Sequence, residues 1–211
     1  METKFFSRLP ENFKQNISGL HGAKGESWLR NLPDSVAEIS EKWSITVEDF
    51  FPNLSYNYVA PCVCADGTEA VLKIGVPEDD SIVKCEASYL KLLGGNGAVK
   101  LLEIDEEHCV LLLEKLIPGE SLKGICQIDD ERATQIAVHL LRRIRREVPA
   151  ANKFPTLESW AKGFQKAERI NFAPDAVKKA QEYFAELNGA SSRHSLLHGD
   201  FHHQNILSAK R

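Results

Sequence analysis

One polar segment near the end of the chain constrains the fold more than any other part of the sequence. Residues 198–207 read His-Gly-Asp-Phe-His-His-Gln-Asn-Ile-Leu, with apolar pairs at 196–197 and 206–207. This pattern predicts two short strands that hold a polar loop between them. Asp200 and Asn205 are five residues apart, so the loop can turn back and aim both side chains at one point. A carboxylate accepts a proton from a hydroxyl and an amide oxygen binds Mg2+, a pairing that suits phosphoryl transfer.

Two other interpretations of this segment stay open. Asp and Asn are common loop residues because they bond to their own backbone, so Asp-x4-Asn alone is a weak signal; the preceding His-Gly makes the pattern more specific. A zinc hydrolase is the other alternative, since the region is dense in ligand-type side chains. No His-Glu-x-x-His occurs, and two adjacent histidines in an extended loop point to opposite sides, which argues against that alternative. The side chains concerned are His194, His198, Asp200, His202 and His203.

Composition places the chain among ordinary globular proteins. Its 211 residues, 43% apolar and 27% charged, allow one large domain or two small lobes. The net charge of −4 gives no sign of nucleic-acid binding, and no apolar run approaches the roughly 18 residues that span a bilayer. No secretory signal is evident at the start, and the five cysteines have irregular spacing. We therefore expect free thiols, a cytoplasmic location and no membrane partner.

The first half of the chain changes from helical to strand-like character near residue 50. Residues 1–50 are predicted to be mainly helical, with Pro33 opening a helix and residues 21–25 forming a turn. Strands are predicted at 55–59 and 69–74, and Asp66-Gly67 between them indicates a hairpin. The next predicted element is a helix over 79–93 that ends at a Gly-Gly pair.

Two charged side chains interrupt apolar patterns in neighbouring elements. Lys73 lies within the apolar strand, and Glu86 falls between Ile82 and Leu90 on the predicted apolar face of the helix. A carboxylate on such a face is costly unless a cation pairs with it, which predicts that the two head groups lie within about 4 Å. A solvated Glu86 at the rim of the face is the equally open alternative.

The second half is predicted to be nearly all helix. The apolar strand 111–116 runs into a Pro-Gly turn, which predicts a hinge between a sheet-rich part, residues 1–116, and a helical part, residues 117–211. Amphipathic helices are predicted at 130–148 and at two later places. The arginines at 142, 143, 145 and 146 are predicted to share a solvated helix face, and Trp160 and Phe164 are predicted to be core residues.

The order of these features resembles the aminoglycoside phosphotransferase family, in the branch that includes streptomycin 6-kinases and hydroxyurea-resistance kinases. The segments that carry the resemblance are FPNLSYNYV, GTEAVLKIGVP, GAVKLLEID, LLLEKLIPGESL and LLHGDFHHQNIL. The resemblance implies an α+β, protein-kinase-like bilobal fold with a small antiparallel-sheet lobe. It also implies an enzyme that moves the γ-phosphoryl group of ATP, with Mg2+, to a hydroxyl of a small molecule. In this family the acceptor is often a cationic aminosugar, and the transfer inactivates an antibiotic.

The resemblance also assigns roles to individual residues. By it, Asp200 is the base that orients the attacking hydroxyl, and Asn205 holds one Mg2+. Lys73 contacts the α- and β-phosphates and is steadied by Glu86.

The nucleotide base has its own expected contacts. The backbone from Glu114 to Leu116 is expected to meet adenine. Residues 55–57 are expected to stand where other kinases keep a Gly-rich loop, although no Gly-x-Gly-x-x-Gly is present.

The end of the chain departs from the family pattern. Kinase-like enzymes carry a second metal-binding Asp just after the catalytic loop, and this sequence ends at 209–211 with Ala-Lys-Arg. We expect a truncated member with an incomplete helical lobe, weak or no activity alone, and self-association through that lobe. The alternative is a non-catalytic nucleotide-binding or interaction module derived from such a kinase.

Overall fold

The computed structural model describes residues 7–78, 82–149, 154–169, 172–190 and 195–210. The chain forms two compact units. The first comprises residues 1–144 together with 200–211, and the second comprises residues 145–199.

A five-stranded antiparallel sheet forms the centre of the first unit. The strands are β1 (Ile45–Val47), β2 (Tyr58–Cys64), β3 (Glu69–Ile74), β4 (Leu101–Asp105) and β5 (Val110–Glu114). Their order in the sheet is β1-β2-β3-β5-β4, and each neighbouring pair is antiparallel. The antiparallel sheet predicted for this region is thereby confirmed.

The hairpin between β2 and β3 confirms one local prediction and corrects another. Gly67 takes φ 86°, which the tight turn at Asp66-Gly67 requires. The strand predicted at 55–59 instead begins at Tyr58 and continues to Cys64, through Pro61. Proline lowers strand propensity, yet the carbonyl of Pro61 still accepts a hydrogen bond from the Glu48 N–H.

A long helix, α1 (Glu11–Trp43), covers one face of the sheet. Its apolar residues, among them Phe13, Ile17 and Leu32, are buried with Tyr58 and Leu72 of the sheet. Pro33 lies inside this helix and does not open one, which corrects the sequence prediction. The predicted turn at 21–25 is a kink within the helix, where Gly22 takes φ 57° and ψ −139°.

Helix α2 (Ile82–Leu93) packs against the opposite face of the sheet. Its buried residues are Val83, Ala87, Leu90 and Leu93. Ile82, which the sequence pattern placed on the apolar face, is 73% exposed. The buried stripe is therefore rotated by about one residue from the predicted one, and Glu86 lies at its edge.

After the sheet, the first unit continues with short elements and one longer helix. Strand β6 (Pro118–Ser121) is followed by α3 (Lys123–Cys126) and α4 (Asp130–Ile144). Leu122, Ala133 and Ile206 form a small core here. Because α4 ends at Ile144, the arginines at 145 and 146 are not on its solvated face, so the predicted four-arginine face is wrong.

The second unit is mainly helical. It contains β7 (Arg146–Glu147), α5 (Leu157–Trp160), α6 (Lys162–Arg169), α7 (Pro174–Gly189) and β8 (Ser195–Leu196), and β7 pairs antiparallel with β8. Phe164 meets Phe184 edge-on with ring centroids 5.7 Å apart, but it is half-buried and not part of a buried core, so its core position is met only in part. Trp160 is 60% exposed, so its predicted core position is wrong.

The fold as a whole is α+β, as the sequence predicts. The five cysteines are all free thiols, and burial raises the pKa of the Cys62 thiol to about 11. Among the described residues, every helix is too short or too polar to cross a bilayer.

Candidate active site

An ion pair joins the sheet to the helix that packs on it. The Lys73 Nζ lies 2.5 Å from the Glu86 Oε2, and the two side chains are 19% and 30% exposed. Alternation along β3 turns Leu72 toward α1 and Lys73 toward α2, where Glu86 borders the buried stripe. The predicted contact is confirmed. Glu86 does lie at the rim of the apolar stripe, as the alternative held, but it is paired with Lys73 and not simply solvated.

The Asp200–Asn205 pair closes the polar loop. The Asn205 amide nitrogen donates to the backbone carbonyl of Asp200 at 2.9 Å and to its carboxylate at 2.8 Å. His202 Nε2 lies 3.5 Å from the other carboxylate oxygen. These bonds fix the orientation of the Asn205 amide and direct its oxygen away from the carboxylate. The loop therefore brings the two side chains into contact, as the spacing predicts, with the amide nitrogen toward the carboxylate.

Short strands anchor both ends of this loop, as expected. The strand before it is β8, and the strand after it is β9 (Leu207–Ala209). Each pairs with another strand: β8 with β7, and β9 with β6. Further bonds run from the Leu122 N–H to the Ile206 carbonyl and from the Glu120 N–H to the Ser208 hydroxyl.

The segment after β5 presents an unpaired stretch of backbone. Glu114 is tied down, because its N–H donates to the Lys100 carbonyl and its carboxylate accepts from the Lys100 N–H at 3.0 Å. In the described ranges, the backbone of Leu116 makes no hydrogen bond. Its N–H and C=O groups are therefore available to a ligand.

Sequence reasoning missed the ion pair that flanks this segment. Lys115 Nζ lies 2.6 Å from Glu69 Oε1, and the hydrogen bond to Glu69 raises the pKa of Lys115. Strand alternation alone places Glu69 on the same face of β3 as Lys73, four residues later. It does not give the register between β3 and β5, which brings Lys115 opposite Glu69.

The oxygen donors of the loop suit a hard cation better than zinc. Asn205 offers an amide oxygen and Asp200 a carboxylate, which are the donor types that Mg2+ takes together with water and phosphate oxygens. Among the residues that the structure describes, no three His, Cys, Asp or Glu side chains gather as a metal site. His194 lies outside those residues, so the zinc alternative finds no support in the described part of the chain.

Three features together define a protein-kinase-like phosphotransferase fold. They are the strand lysine paired with a helix glutamate, the polar loop between anchored strands, and the antiparallel sheet. A comparison with family models agrees. The model of the aminoglycoside/hydroxyurea antibiotic resistance kinases matches residues 42–211. The chain belongs to this family.

The chain is also similar in sequence to three named relatives. The chain is 29% identical over 212 residues to streptomycin 6-kinase from Streptomyces griseus, covering 96% of this chain and 66% of the relative. It is 34% identical over 197 residues to hydroxyurea phosphotransferase from Kitasatospora aureofaciens, covering 90% and 57%. With streptomycin 6-kinase from Streptomyces glaucescens it shares 28% over 220 residues, covering 100% and 69%. The chain thus spans between 57% and 69% of the length of these relatives.

Proposed function

We propose that this chain is an ATP-dependent O-phosphotransferase that acts on a hydroxyl of a small molecule, an aminoglycoside such as streptomycin. The observation that carries the proposal is the Lys73–Glu86 pair at 2.5 Å. A lysine held by a carboxylate at the edge of an apolar core keeps a fixed position, which suits it to bind phosphate oxygens. Membership of the resistance-kinase family supports the same proposal.

The nucleotide is bound by the first unit in this proposal. Lys73 contacts the α- and β-phosphates, and Glu86 keeps its ammonium group in place. The adenine edge pairs with the backbone between Glu114 and Leu116, where the N–H and C=O of Leu116 are unoccupied by other described groups. Residues 55–57 cover the phosphates.

The polar loop supplies the chemistry. Asp200 accepts the proton of the attacking hydroxyl and orients it, while the hydrogen bonds from Asn205 hold the carboxylate in place. The Asn205 amide oxygen, which these bonds turn away from Asp200, is the group that would hold Mg2+, and the ion would neutralise charge on the transferring phosphoryl group when bound. Positioning and charge neutralisation supply most of the rate enhancement in such a reaction.

The acceptor is proposed from the relatives and from charge. Two relatives are streptomycin 6-kinases, and the net charge of −4 favours a cationic acceptor over an anionic one. Hydroxyurea is the second candidate, because the relative with 34% identity is a hydroxyurea phosphotransferase.

Nucleotide binding is the first test of the proposal. Calorimetry of the purified 211-residue chain with Mg-ATP is expected to show saturable binding that Lys73→Met weakens at least tenfold, since the substitution removes a charged contact to phosphate. Lys91→Met is the matched control, because Lys91 is an exposed lysine on the neighbouring helix, 3.6 Å from Glu106. Equal binding by the Lys73→Met variant and the wild type would contradict the nucleotide site.

Phosphoryl transfer is the second test. Radiolabelled transfer from ATP to streptomycin or hydroxyurea is expected to fall by roughly 10^2 to 10^4 in Asp200→Asn, because the general base is lost. Asp175→Asn, an exposed carboxylate in the first turn of α7, is the control. Nucleotide binding without any transfer by the wild type would assign the chain to the alternative class, a nucleotide-binding module without catalysis.

A further inference from the structure

The first half of α1 holds the backbone that precedes β2. The Asn12 amide donates to the Leu54 carbonyl at 3.3 Å, and the Asn16 amide donates to the Ser55 carbonyl at 3.1 Å. The two asparagines are four residues apart, so they project from the same side of the helix, one turn after the other. They therefore bind consecutive carbonyls of a segment that belongs to no strand or helix.

The helix that carries these asparagines is itself firmly placed. Phe13 and Ile17, each next to one of the asparagines, have no exposed surface and pack in the core with Tyr58. At the start of the helical region, Arg8 pairs with Asp49 at 2.5 Å and lies over the Phe50 ring at 5.8 Å. Because the buried side chains fix the helix, its amide groups can impose a position on the segment.

The far end of the same segment reaches the strand that carries Lys73. Tyr58 is opposite Ile74 in the β2–β3 pairing. The Asn57 side chain lies so close to Gly75 that a Cβ there would stand 2.9 Å from its Oδ1. Residues 55–57 therefore lie between the asparagine contacts on one side and the Lys73 end of β3 on the other.

This segment also offers donors. Ser55 and Tyr56 are exposed, and within the described ranges their N–H groups have no hydrogen-bond partner. Phosphate oxygens accept hydrogen bonds from backbone N–H groups of this kind. Because the segment has no Gly-rich sequence, contacts from outside it help to fix its backbone.

We propose that Asn12 and Asn16 are positioning residues for the nucleotide: they hold residues 55–57 so that the backbone of this segment contacts the phosphates of ATP. The inference rests on the proposed function, since it requires ATP at Lys73. It goes beyond that function because it gives a role in nucleotide recognition to α1, most of which precedes the residues 42–211 that match the family.

The test compares ATP with adenosine in a double variant of the full chain, Asn12→Ala with Asn16→Ala. Alanine favours helix more than asparagine does, so α1 itself is not weakened. Loss of two amide contacts is expected to weaken ATP binding roughly five- to tenfold, while adenosine, which has no phosphates, keeps its affinity within about twofold. Asn31→Ala is the matched control, an exposed asparagine in the second half of the same helix, and is expected to bind both ligands as the wild type does.

Each outcome has one meaning for the inference. Equal weakening of ATP and adenosine would show that the asparagines only support the fold, and unchanged ATP binding would show that they do not position the segment; either result overturns the inference. Failure of the wild type to bind ATP would overturn the proposed function instead, and the inference with it. Amide exchange of residues 54–58 without ligand adds an independent readout: faster exchange in the double variant is expected, and exchange equal to that of Asn31→Ala overturns the inference.

Discussion

Gly75 sets how closely α2 approaches the sheet. A Cβ at this position would lie 2.6 Å from Val83 Cγ2 and 2.9 Å from Asn57 Oδ1. Val83 is buried one turn before Glu86, so a shift of Val83 moves Glu86 with it. Gly75→Ala is expected to destabilise the fold by about 1–3 kcal/mol and to weaken ATP binding, as followed by urea unfolding and calorimetry. Gly124→Ala, which lies in α3 and meets no atom within 4 Å, is the control: it is expected to leave ATP binding unchanged and not to destabilise the fold.

A buried carboxylate, Asp105, connects the end of α1 to the turn after β4. Its side chain is 5% exposed and accepts hydrogen bonds from Lys42 at 2.7 Å and from the His108 N–H at 3.0 Å. Burial alone would raise the pKa of Asp105, but the bonds from Lys42 and His108 outweigh burial and lower the pKa to about 2.

The lowered pKa of Asp105 sets the sign of a pH effect on stability. The folded pKa lies below the value of about 3.9 in an unfolded chain, so the carboxylate stabilises the fold above pH 4 and this stabilisation is lost as pH falls toward 2. Asp105→Asn is expected to cost about 2 kcal/mol at pH 7 and much less near pH 2.5, by urea unfolding at both pH values. Glu106→Gln, an exposed neighbour, is expected to change little. A cost that does not depend on pH would refute the electrostatic explanation.

The sequence predicts single residues well where a charge breaks an apolar pattern. Lys73 and Glu86 interrupt neighbouring apolar elements. Burying either charge alone is costly, so the two positions are best explained as an ion pair. The burial of Asp105 was not predicted, because Asp105 lies in an acidic turn, where a carboxylate is usually solvated. Its burial depends on α1, sixty-three residues away in sequence.

At the scale of elements, type was easier to predict than extent. The β2–β3 hairpin follows from the Asp-Gly turn between alternating residues, and α2 follows from apolar spacing before a Gly-Gly stop. The boundaries predicted at Pro33 and Pro61 were wrong because local propensity places a proline at the end of a helix or strand and not inside it. In both places packing of the surrounding element in the core overrides that propensity.

The kink in α1 depends on a glycine, and the helix offers a matched comparison. Gly22 takes φ 57° and ψ −139°, a conformation that other residues rarely adopt, whereas Gly19 is helical and meets no atom within 4 Å. Gly22→Ala is expected to destabilise the chain by roughly 1–3 kcal/mol through backbone strain. Gly19→Ala is expected to stabilise it by up to about 1 kcal/mol through helix propensity. Thermal and urea unfolding measure both, and equal effects of the two substitutions would rule out a required kink.

At the scale of the whole chain, several large apolar side chains are exposed. In the first unit, Ile128 is 90% exposed; in the second, Trp160, Phe172 and Leu187 are exposed. Self-association through such surfaces stays a prediction, because apolar area on a protein surface favours association. Sedimentation velocity at several concentrations is expected to show a rising average mass, which Ile128→Ser reduces. A constant monomer mass would contradict the expectation.

The polar loop also bears on how the proposed reaction would use its cation. In the proposal the Asn205 amide oxygen would hold Mg2+, and the amide nitrogen of the same side chain holds Asp200 in place. Mg2+ demands near-octahedral oxygen ligands and keeps several waters, so Asn205 would share the ion with water and with the phosphates of ATP. Loss of the amide oxygen would therefore weaken the hold on the cation and leave charge on the transferring phosphoryl group less neutralised.

A magnesium titration of streptomycin phosphorylation tests this role of Asn205. At saturating ATP, the rate of the wild type is expected to rise with free Mg2+ beyond that bound to ATP and then to saturate, because the loop contributes a ligand to the ion. Asn205→Ala removes the amide oxygen and also the bonds that hold Asp200, so it is expected to raise that Mg2+ requirement and to lower the maximal rate. Asn31→Ala, distant in sequence and exposed, is expected to change neither. If Asn205→Ala lowers the rate equally at all Mg2+ concentrations, then Asn205 acts only by orienting Asp200, and the cation is held without it.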